Sequence, residues 1–156
     1  MSRRGQAEKR ELPPYPRFSS LVIAKLINRM MKSGKKRTAE GIVYTALDII
    51  EEQEKKDPVL VLEQAIKNVT PQIQVKPRRV AGATYQVPTE IKGERGTMLA
   101  FKWLLTAAQT RRDRSMAEKL AGEVMDAAQG QGAAIKKREE LHKIAQANRA
   151  FVHFRY

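Results

Sequence analysis

The residues that first suggest chemistry are Gly34-Lys35-Lys36-Arg37-Thr38, which superficially resemble a nucleotide-phosphate loop. The loop of nucleotide hydrolases needs a second glycine five positions earlier, and that position holds Arg29. The segment also follows an apolar helical pattern rather than a strand. We therefore interpret it as a basic turn and not as a nucleotide-hydrolysing site.

Catalytic and metal-binding patterns are scarce in the rest of the sequence. The only histidines, His142 and His153, lack metal-ligand spacing such as i, i+4. Glutamate pairs at 51–52 and 139–140 occupy adjacent positions, which do not face each other on a helix. The absence of cysteine excludes disulfides, thiolate metal sites and a cysteine nucleophile, and it suits a reducing compartment. We predict a protein that is not an enzyme, has no small-molecule substrate, and holds no cofactor or metal.

The charge of the chain predicts a polyanionic partner. Thirty Lys and Arg residues against 17 Asp and Glu give a formal charge of +13 and a pI near 10.2. A basic surface that serves only solubility remains the alternative. The charge is segregated, because segment 48–63 carries six acids against two lysines, a net charge of −4. We expect that segment to face away from the polyanion.

The sequence also contains no recognisable targeting signal or membrane-spanning segment. The first ten residues are charged and no apolar stretch follows them, so no secretory signal is recognisable. The most apolar later segment, residues 98–108, is short for a membrane span and contains Lys102. These features predict a soluble, cytoplasmic protein with no membrane partner.

Hydrophobic periodicity predicts one mainly α-helical domain with a β-hairpin. A proline-bearing basic arm (1–17) precedes three helices (18–70). The hairpin (71–92) is followed by three more helices (93–147) and a short tail (148–156). The architecture expected is a six-helix, bundle-like domain with a protruding hairpin.

Capping residues predict where several helices begin and end. Ser19-Ser20 is expected to cap the first helix, which Gly34 ends, and Thr38 to cap the second. Asp57-Pro58 is a typical helix start, and Ser115 begins a capping-box pattern.

A change of period marks the hairpin. Residues 72–76 and, loosely, 84–88 alternate around Val80-Ala81-Gly82-Ala83, and Pro77 and Pro88 indicate edge strands. Because the strands have few apolar residues, we expect the hairpin to project from the helices, with nucleic acid completing its packing.

Lysine and arginine bind phosphates, and their clusters are the candidate nucleic-acid site. The cations are Arg3, Arg4, Lys9 and Arg10 in the arm; Lys25, Arg29 and Lys32 in the first helix; Lys35, Lys36 and Arg37 in the turn; Lys76, Arg78 and Arg79 in the hairpin; Arg111, Arg112 and Arg114; and Lys136, Lys137 and Lys143 in the last helix. Four aromatic residues, Tyr85, Phe151, Phe154 and Tyr156, are expected to stack on unpaired bases, which favours RNA over duplex DNA. An architectural DNA-binding protein with a basic β-arm is the runner-up. An enzyme that uses carboxylates on bound RNA is a third reading, without a motif.

Several stretches resemble the bacterial small-subunit ribosomal protein S seven family over nearly the whole chain. They are Gly34-Lys35-Lys36 followed by Ile42-Val43 and Ala46, residues 75–80 and 84–88, Ser115-Met116-Ala117, and residues 136–139 and 147–151. The resemblance implies a structural protein of the small ribosomal subunit that binds the 3′ major domain of its rRNA and nucleates assembly of the head. It implies rRNA contacts by the arm, Lys35, Lys36, Arg78, Arg79 and the Ser115-Met116 turn.

The resemblance also implies that the hairpin and C-terminal segment lie near the exit-site tRNA and the mRNA path, beside other proteins of the head and platform. The residues so placed are Val80, Ala81, Gly82, Ala83, Tyr85, Arg149 and Phe151. The chain departs from the family pattern at the tip, where Ala81-Gly82-Ala83 replaces Gly-Gly-Ser. It also has few cations at Glu94-Arg95-Gly96, so we expect only a weak contact at the start of the fourth helix.

Overall fold

Helices dominate the computed structural model, which describes residue 5 and residues 17–155. In chain order the elements are α1 (Leu21–Met30), α2 (Lys36–Glu54), α3 (Pro58–Val69), β1 (Ile73–Val80), β2 (Ala83–Glu90), α4 (Arg95–Thr110), α5 (Met116–Ala128), α6 (Ala133–Ala147) and a C-terminal 3-10 helix, η1 (Arg149–Arg155). The mainly helical fold with a two-stranded antiparallel hairpin confirms the predicted fold class. The arm cations Arg3, Arg4, Lys9 and Arg10 lie outside the described residues.

Helix α5 lies at the centre and packs against α2, α3 and α4. Its Leu120 and Val124 are almost completely buried, together with Ile27 of α1, Leu47 of α2 and Leu62 of α3. Burying side chains of this size contributes roughly 1.5–3 kcal/mol each. The surface cations and the hairpin are therefore mounted on a well-packed helical body.

Three predicted helix starts are confirmed by their hydrogen bonds. The Ser20 hydroxyl accepts a bond from the Val22 amide (3.3 Å), and an Asp57 carboxylate oxygen accepts one from the Val59 amide (2.9 Å). Ser115 forms the full capping box with Glu118 (residues 115 and 118 exchange both bonds). Such caps stabilise a helix by about 1 kcal/mol each.

The region between α1 and α2 differs from the prediction. Helix α1 ends at Met30 rather than at Gly34, because Met31 already takes an extended ψ of 130°. Ser33 and Gly34 then turn the chain with positive φ values of 52° and 73°. Helix α2 begins at Lys36, so the prediction of Thr38 as its cap is wrong. The helix starts without a side-chain cap, and burial of its apolar side compensates.

The hairpin is longer than the alternating runs suggested. Its register runs from Ile73 opposite Glu90 to Val80 opposite Ala83, and Ala81-Gly82 form the two-residue turn with φ values of 49° and 88°. Both turn residues have positive φ, as in a type I′ turn. Glycine adopts this conformation freely, whereas an alanine there costs about 1–2 kcal/mol.

The hairpin and the C-terminal segment also pack more closely than predicted. Val87 and Pro88 are buried at the base of the hairpin, where α6 packs against β1. The segment predicted to be a short tail forms η1, which packs along β2. The hairpin is therefore anchored at its base and along one side.

Candidate nucleic-acid interface

Helix α2 carries its charges in the reverse of the order that helices favour. Lys35 stands at its N-cap and Lys36-Arg37 open its first turn, with no acid there. Its last turns hold Glu51-Glu52 and Glu54, with no base. The helix dipole favours acids at the N-terminus and cations at the C-terminus. Because this arrangement lowers local stability, we interpret the N-terminal end, where three exposed cations cluster, as an anion-binding site.

The two charged ends of α2 are well separated. Nineteen residues at 1.5 Å each place Lys35 about 28 Å from the acidic end. At that end Arg17 pairs with Asp48 through a 2.6 Å contact, which joins the start of the described chain to α2. The acidic segment 48–63 therefore lies at the opposite end of α2 from the basic turn.

The fold brings the α1–α2 turn beside the α4–α5 turn. Lys32 and Lys35 lie at the rim of a cavity of about 280 Å³, and Met116 lines it from α5. Its other lining residues are Met30, Thr38, Ala39, Ile42 and Gln109. Lys35 and Met116, to which the family resemblance assigns rRNA contacts, are thus neighbours in space. The Ser115 hydroxyl accepts a hydrogen bond from the Glu118 amide in the α5 capping box.

A second cluster of cations lines a groove at the side of the hairpin. Lys76 and Arg78 from β1 face Lys92 and Arg95 from the β2–α4 connection across a volume of about 330 Å³. The acidic Glu90 lies in the same groove. Four cations against one carboxylate leave this groove strongly positive, as phosphate binding requires.

Lys92 was missed by sequence analysis, and Arg95 was expected to make only a weak contact. The Ile91 amide donates to the Gln72 carbonyl at 3.0 Å, so the strand pairing continues past β2 and carries Lys92 back beside β1. Arg95 then follows in the first turn of α4. The sequence feature that could have located these residues is the pairing register of the hairpin, which can be deduced only once the turn is placed at Ala81-Gly82.

An ion pair joins the two clusters. Lys25 of α1 contacts Glu94, next to Arg95, at 2.6 Å. Arg29 follows Lys25 by one helical turn on α1. Lys32 lies just beyond the helix, in the turn that follows, rather than in the first helix as predicted, so α1 connects the hairpin groove to the basic turn. We call this surface the basic face, and its members are Lys25, Arg29, Lys32, Lys35, Lys36, Arg37, Lys76, Arg78, Lys92 and Arg95.

Arg111 has a different position from its neighbours in sequence. Its guanidinium bonds to Asp126 (2.6 Å), Asp113 (3.0 Å) and Glu123 (3.2 Å). Glu123 is only 1% exposed, and its other oxygen accepts a 2.9 Å bond from the Ala134 amide at the start of α6. The hydrogen bond to Asp126 and these other carboxylates raise the pKa of Arg111 above its ordinary value. Arg111 therefore clamps α5 to the turn before it and to α6.

The remaining predicted cations are exposed at other places. Arg112 and Arg114 lie on the α4–α5 turn, and Arg79 lies near the hairpin tip, opposite Thr84. Lys136, Lys137 and Lys143 lie on the outer side of α6, which also carries Glu139 and Glu140. Because acids accompany them, the α6 lysines form a weaker anion site than the basic face.

The residues expected near tRNA divide into two groups. Ala81, Gly82 and Ala83 are exposed at the hairpin tip, with Val80 half-buried beside them. Arg149 is exposed at the start of η1, whereas the rings of Tyr85 and Phe151 pack against each other. The tip is thus open to a ligand, and the aromatic rings are already partnered within the protein.

Over residues 17–155, no three His, Asp or Glu side chains converge as metal ligands would. In the same part of the chain, every helix is too short or too polar to cross a bilayer.

Comparison with known proteins gives one consistent family. The model of the family described as ribosomal protein S7p/S5e matches residues 2–149. Curated proteins named small ribosomal subunit protein uS7 are similar over the full length of both chains. They include those of Bartonella quintana (strain Toulouse), 54% identical, Nitrobacter winogradskyi (strain ATCC 25391), 53% identical, and Dictyoglomus turgidum (strain DSM 6724), 53% identical.

Proposed function

Because the chain belongs to the ribosomal protein S7p/S5e family, we propose that it is a structural constituent of the small ribosomal subunit that binds rRNA through the basic face. It is not an enzyme. Its place of action is the ribosome, which in bacteria lies in the cytoplasm.

The observation that supports rRNA binding most directly is the separation of charge along α2. Lys35, Lys36 and Arg37 gather at the N-terminal end of α2, while Glu54 at its C-terminal end lies about 28 Å away. Lysine and arginine neutralise phosphates and release condensed counterions, which supplies most of the sequence-independent affinity for RNA. The acidic end repels RNA, so the chain binds in one orientation.

The finer role that we propose is the one that the family resemblance implies, and the position of the hairpin supports it. The primary contact is the 3′ major domain of the small-subunit rRNA, where binding nucleates assembly of the head. The exposed tip at Ala81-Gly82 extends toward the exit-site tRNA and the mRNA path. Neighbouring proteins of the head and platform are the expected protein partners. Anchoring of the hairpin at Val87 and Pro88 supports this role, because a fixed base gives the tip a defined direction.

Neutralising the hairpin groove tests this proposal. Lys92→Gln with Arg95→Gln is expected to weaken binding to a 3′ major domain transcript by roughly 10- to 100-fold, because two phosphate contacts are lost. The plot of log affinity against log salt should become shallower by about 1.5 for the same reason. Filter binding or fluorescence titration at several salt concentrations measures both quantities.

The matched control is Lys55→Gln with Lys56→Gln at the acidic end of α2, which removes the same charge. This control should leave the affinity within about twofold of the wild type, since those lysines lie far from the basic face. Equal losses in the two variants would show that only net charge matters, and the proposed interface would then be abandoned.

A further inference from the structure

The aromatic rings of the hairpin and of η1 pack against one another. The Tyr85 ring centroid lies 5.0 Å from that of Phe151 and 5.1 Å from that of Phe154, and the two phenylalanine rings are nearly parallel at 6.4 Å. His153 adds a fourth ring, 4.0 Å from Phe154. Rings at these separations attract each other and bury apolar surface. Helix η1 is therefore attached to the middle of β2 by an aromatic cluster.

Among residues 17–155, little else supports the outer half of the hairpin. Between residues 76 and 86 only Val80 and Tyr85 are partly buried, and the other side chains are exposed. A two-stranded hairpin is marginally stable by itself. The base is fixed by Val87 and Pro88, so the cluster at Tyr85 is the second point of attachment. A hairpin that is attached at two points keeps one direction, whereas a hairpin attached only at its base can swing about that base.

The second attachment lies close to the hairpin arginines. Tyr85 is paired directly with Arg78 across the two strands, and Arg79 is the next residue toward the tip. Directly opposed residues have their Cβ atoms about 5 Å apart. The tip at Gly82 lies three residues beyond Tyr85, or about 10 Å. Movement at Tyr85 would therefore displace both the arginines and the tip.

We propose that Phe151 and Phe154 are positioning residues for RNA binding, which hold the hairpin in its binding direction without touching RNA themselves. This inference rests on the proposed function, because it assumes that the hairpin cations contact rRNA. It replaces the expectation that these rings stack on unpaired bases, since in the structure they pack against Tyr85. A hairpin that pivots presents its cations correctly for only a fraction of the time, and the apparent affinity falls by that fraction.

The test uses the full-length chain with Phe151→Ala and Phe154→Ala. Hydrogen exchange of the β1–β2 amides should accelerate roughly tenfold in the free protein, because local opening becomes easier. Affinity for the 3′ major domain transcript should fall roughly tenfold, while the melting temperature of the helical body stays unchanged. Phe151→Tyr with Phe154→Tyr should restore both readouts, and Val152→Ala, an exposed residue of η1, should alter neither.

A second background separates positioning from direct contact. Arg78→Ala with Arg79→Ala is expected to weaken RNA binding with little loss of thermal stability, since both side chains are exposed. In that background the phenylalanine substitutions should cost less than about twofold more, because the cations that they position are gone. A full tenfold loss in both backgrounds, with unchanged hairpin exchange, would mean direct base stacking and would overturn the proposal. Unchanged exchange and unchanged affinity would overturn it as well.

The design also separates this inference from the proposed function. Wild-type binding to the transcript is measured first, against an unrelated RNA. Absence of selective binding would overturn the proposed function and, with it, any role of the rings in rRNA recognition. Selective binding that the phenylalanine substitutions do not change would overturn only the positioning role.

Discussion

Replacing Arg111 by alanine is expected to lower the free energy of unfolding by about 3–5 kcal/mol. The substitution leaves the Glu123 carboxylate, which is 1% exposed, without its charged partner, and a buried unpaired charge is strongly destabilising. Asp126 and Asp113 lose the same guanidinium. For a chain of this length the melting temperature should fall by roughly 6–20 °C. Thermal and urea denaturation followed by circular dichroism measure both quantities.

Arg112→Ala is the matched control for this prediction. The neighbouring side chain is exposed, so its loss should change the free energy of unfolding by less than about 0.5 kcal/mol. Similar stability losses in the two variants would contradict the assignment of Arg111 to the fold. RNA binding by the Arg111→Ala variant is measured well below the melting temperature of that variant, so that a loss of affinity does not reflect unfolding.

The Gly122→Ala substitution tests the same Arg111 contacts by changing the surface of α5 on which the guanidinium lies. A Cβ atom at this position would lie 2.8 Å from an Nη atom of Arg111 and 3.0 Å from its Cζ, so the guanidinium would have to move. We expect a loss of about 1–3 kcal/mol, and a smaller loss in an Arg111→Ala background where the obstruction is absent. Equal losses in both backgrounds would mean that Gly122 acts independently of Arg111.

The largest loss of RNA affinity is expected from reversing charge at the N-terminal end of α2. Lys35→Glu with Arg37→Glu should weaken binding to the 3′ major domain transcript by at least about 100-fold at moderate salt. Two attractive contacts are lost, and two carboxylates are brought against phosphates. The free energy of unfolding should stay within about 0.5 kcal/mol of the wild type or rise, because acids at a helix N-terminus interact favourably with its dipole.

The control for charge reversal lies at the other end of the same helix. Lys55→Glu with Lys56→Glu changes the net charge equally, yet it should leave RNA affinity within a few-fold of the wild type. It should lower stability slightly, since it adds negative charge at a helix C-terminus. At the N-terminal end of α2 affinity should thus fall without a loss of stability, whereas at the C-terminal end stability should fall slightly without a large loss of affinity. If both variants lost affinity alike, the charge of the whole chain rather than the basic face would govern binding.

The sequence predicts this fold best where the deciding interaction is local. Ser20, Asp57 and Ser115 accept bonds from amides two or three residues away, so their type and spacing are enough to locate three helix starts. The start of α2 escaped prediction because no capping side chain marks it. Cations stand there instead, against the helix dipole, and their placement fits an external phosphate rather than the local helix.

The site is predicted less completely because its residues meet through distant parts of the chain. Lys92 joins Lys76 only through the register of the hairpin, and Arg95 joins them through the turn into α4. Arg111 and Arg112 are identical in type and adjacent in sequence. Their roles separate only when α5 brings Glu123 and Asp126 to the first of them. The contact of Tyr85 with η1 likewise spans more than 60 residues and leaves no periodic pattern.

Binding of the wild-type chain to a transcript of the 3′ major rRNA domain, to an unrelated RNA and to duplex DNA, at two salt concentrations, tests the central claim most directly. The basic face and hairpin predict selective binding to the rRNA transcript that survives moderate salt. Equal binding to all three nucleic acids that collapses as salt rises would contradict this account and favour a generic polyanion binder.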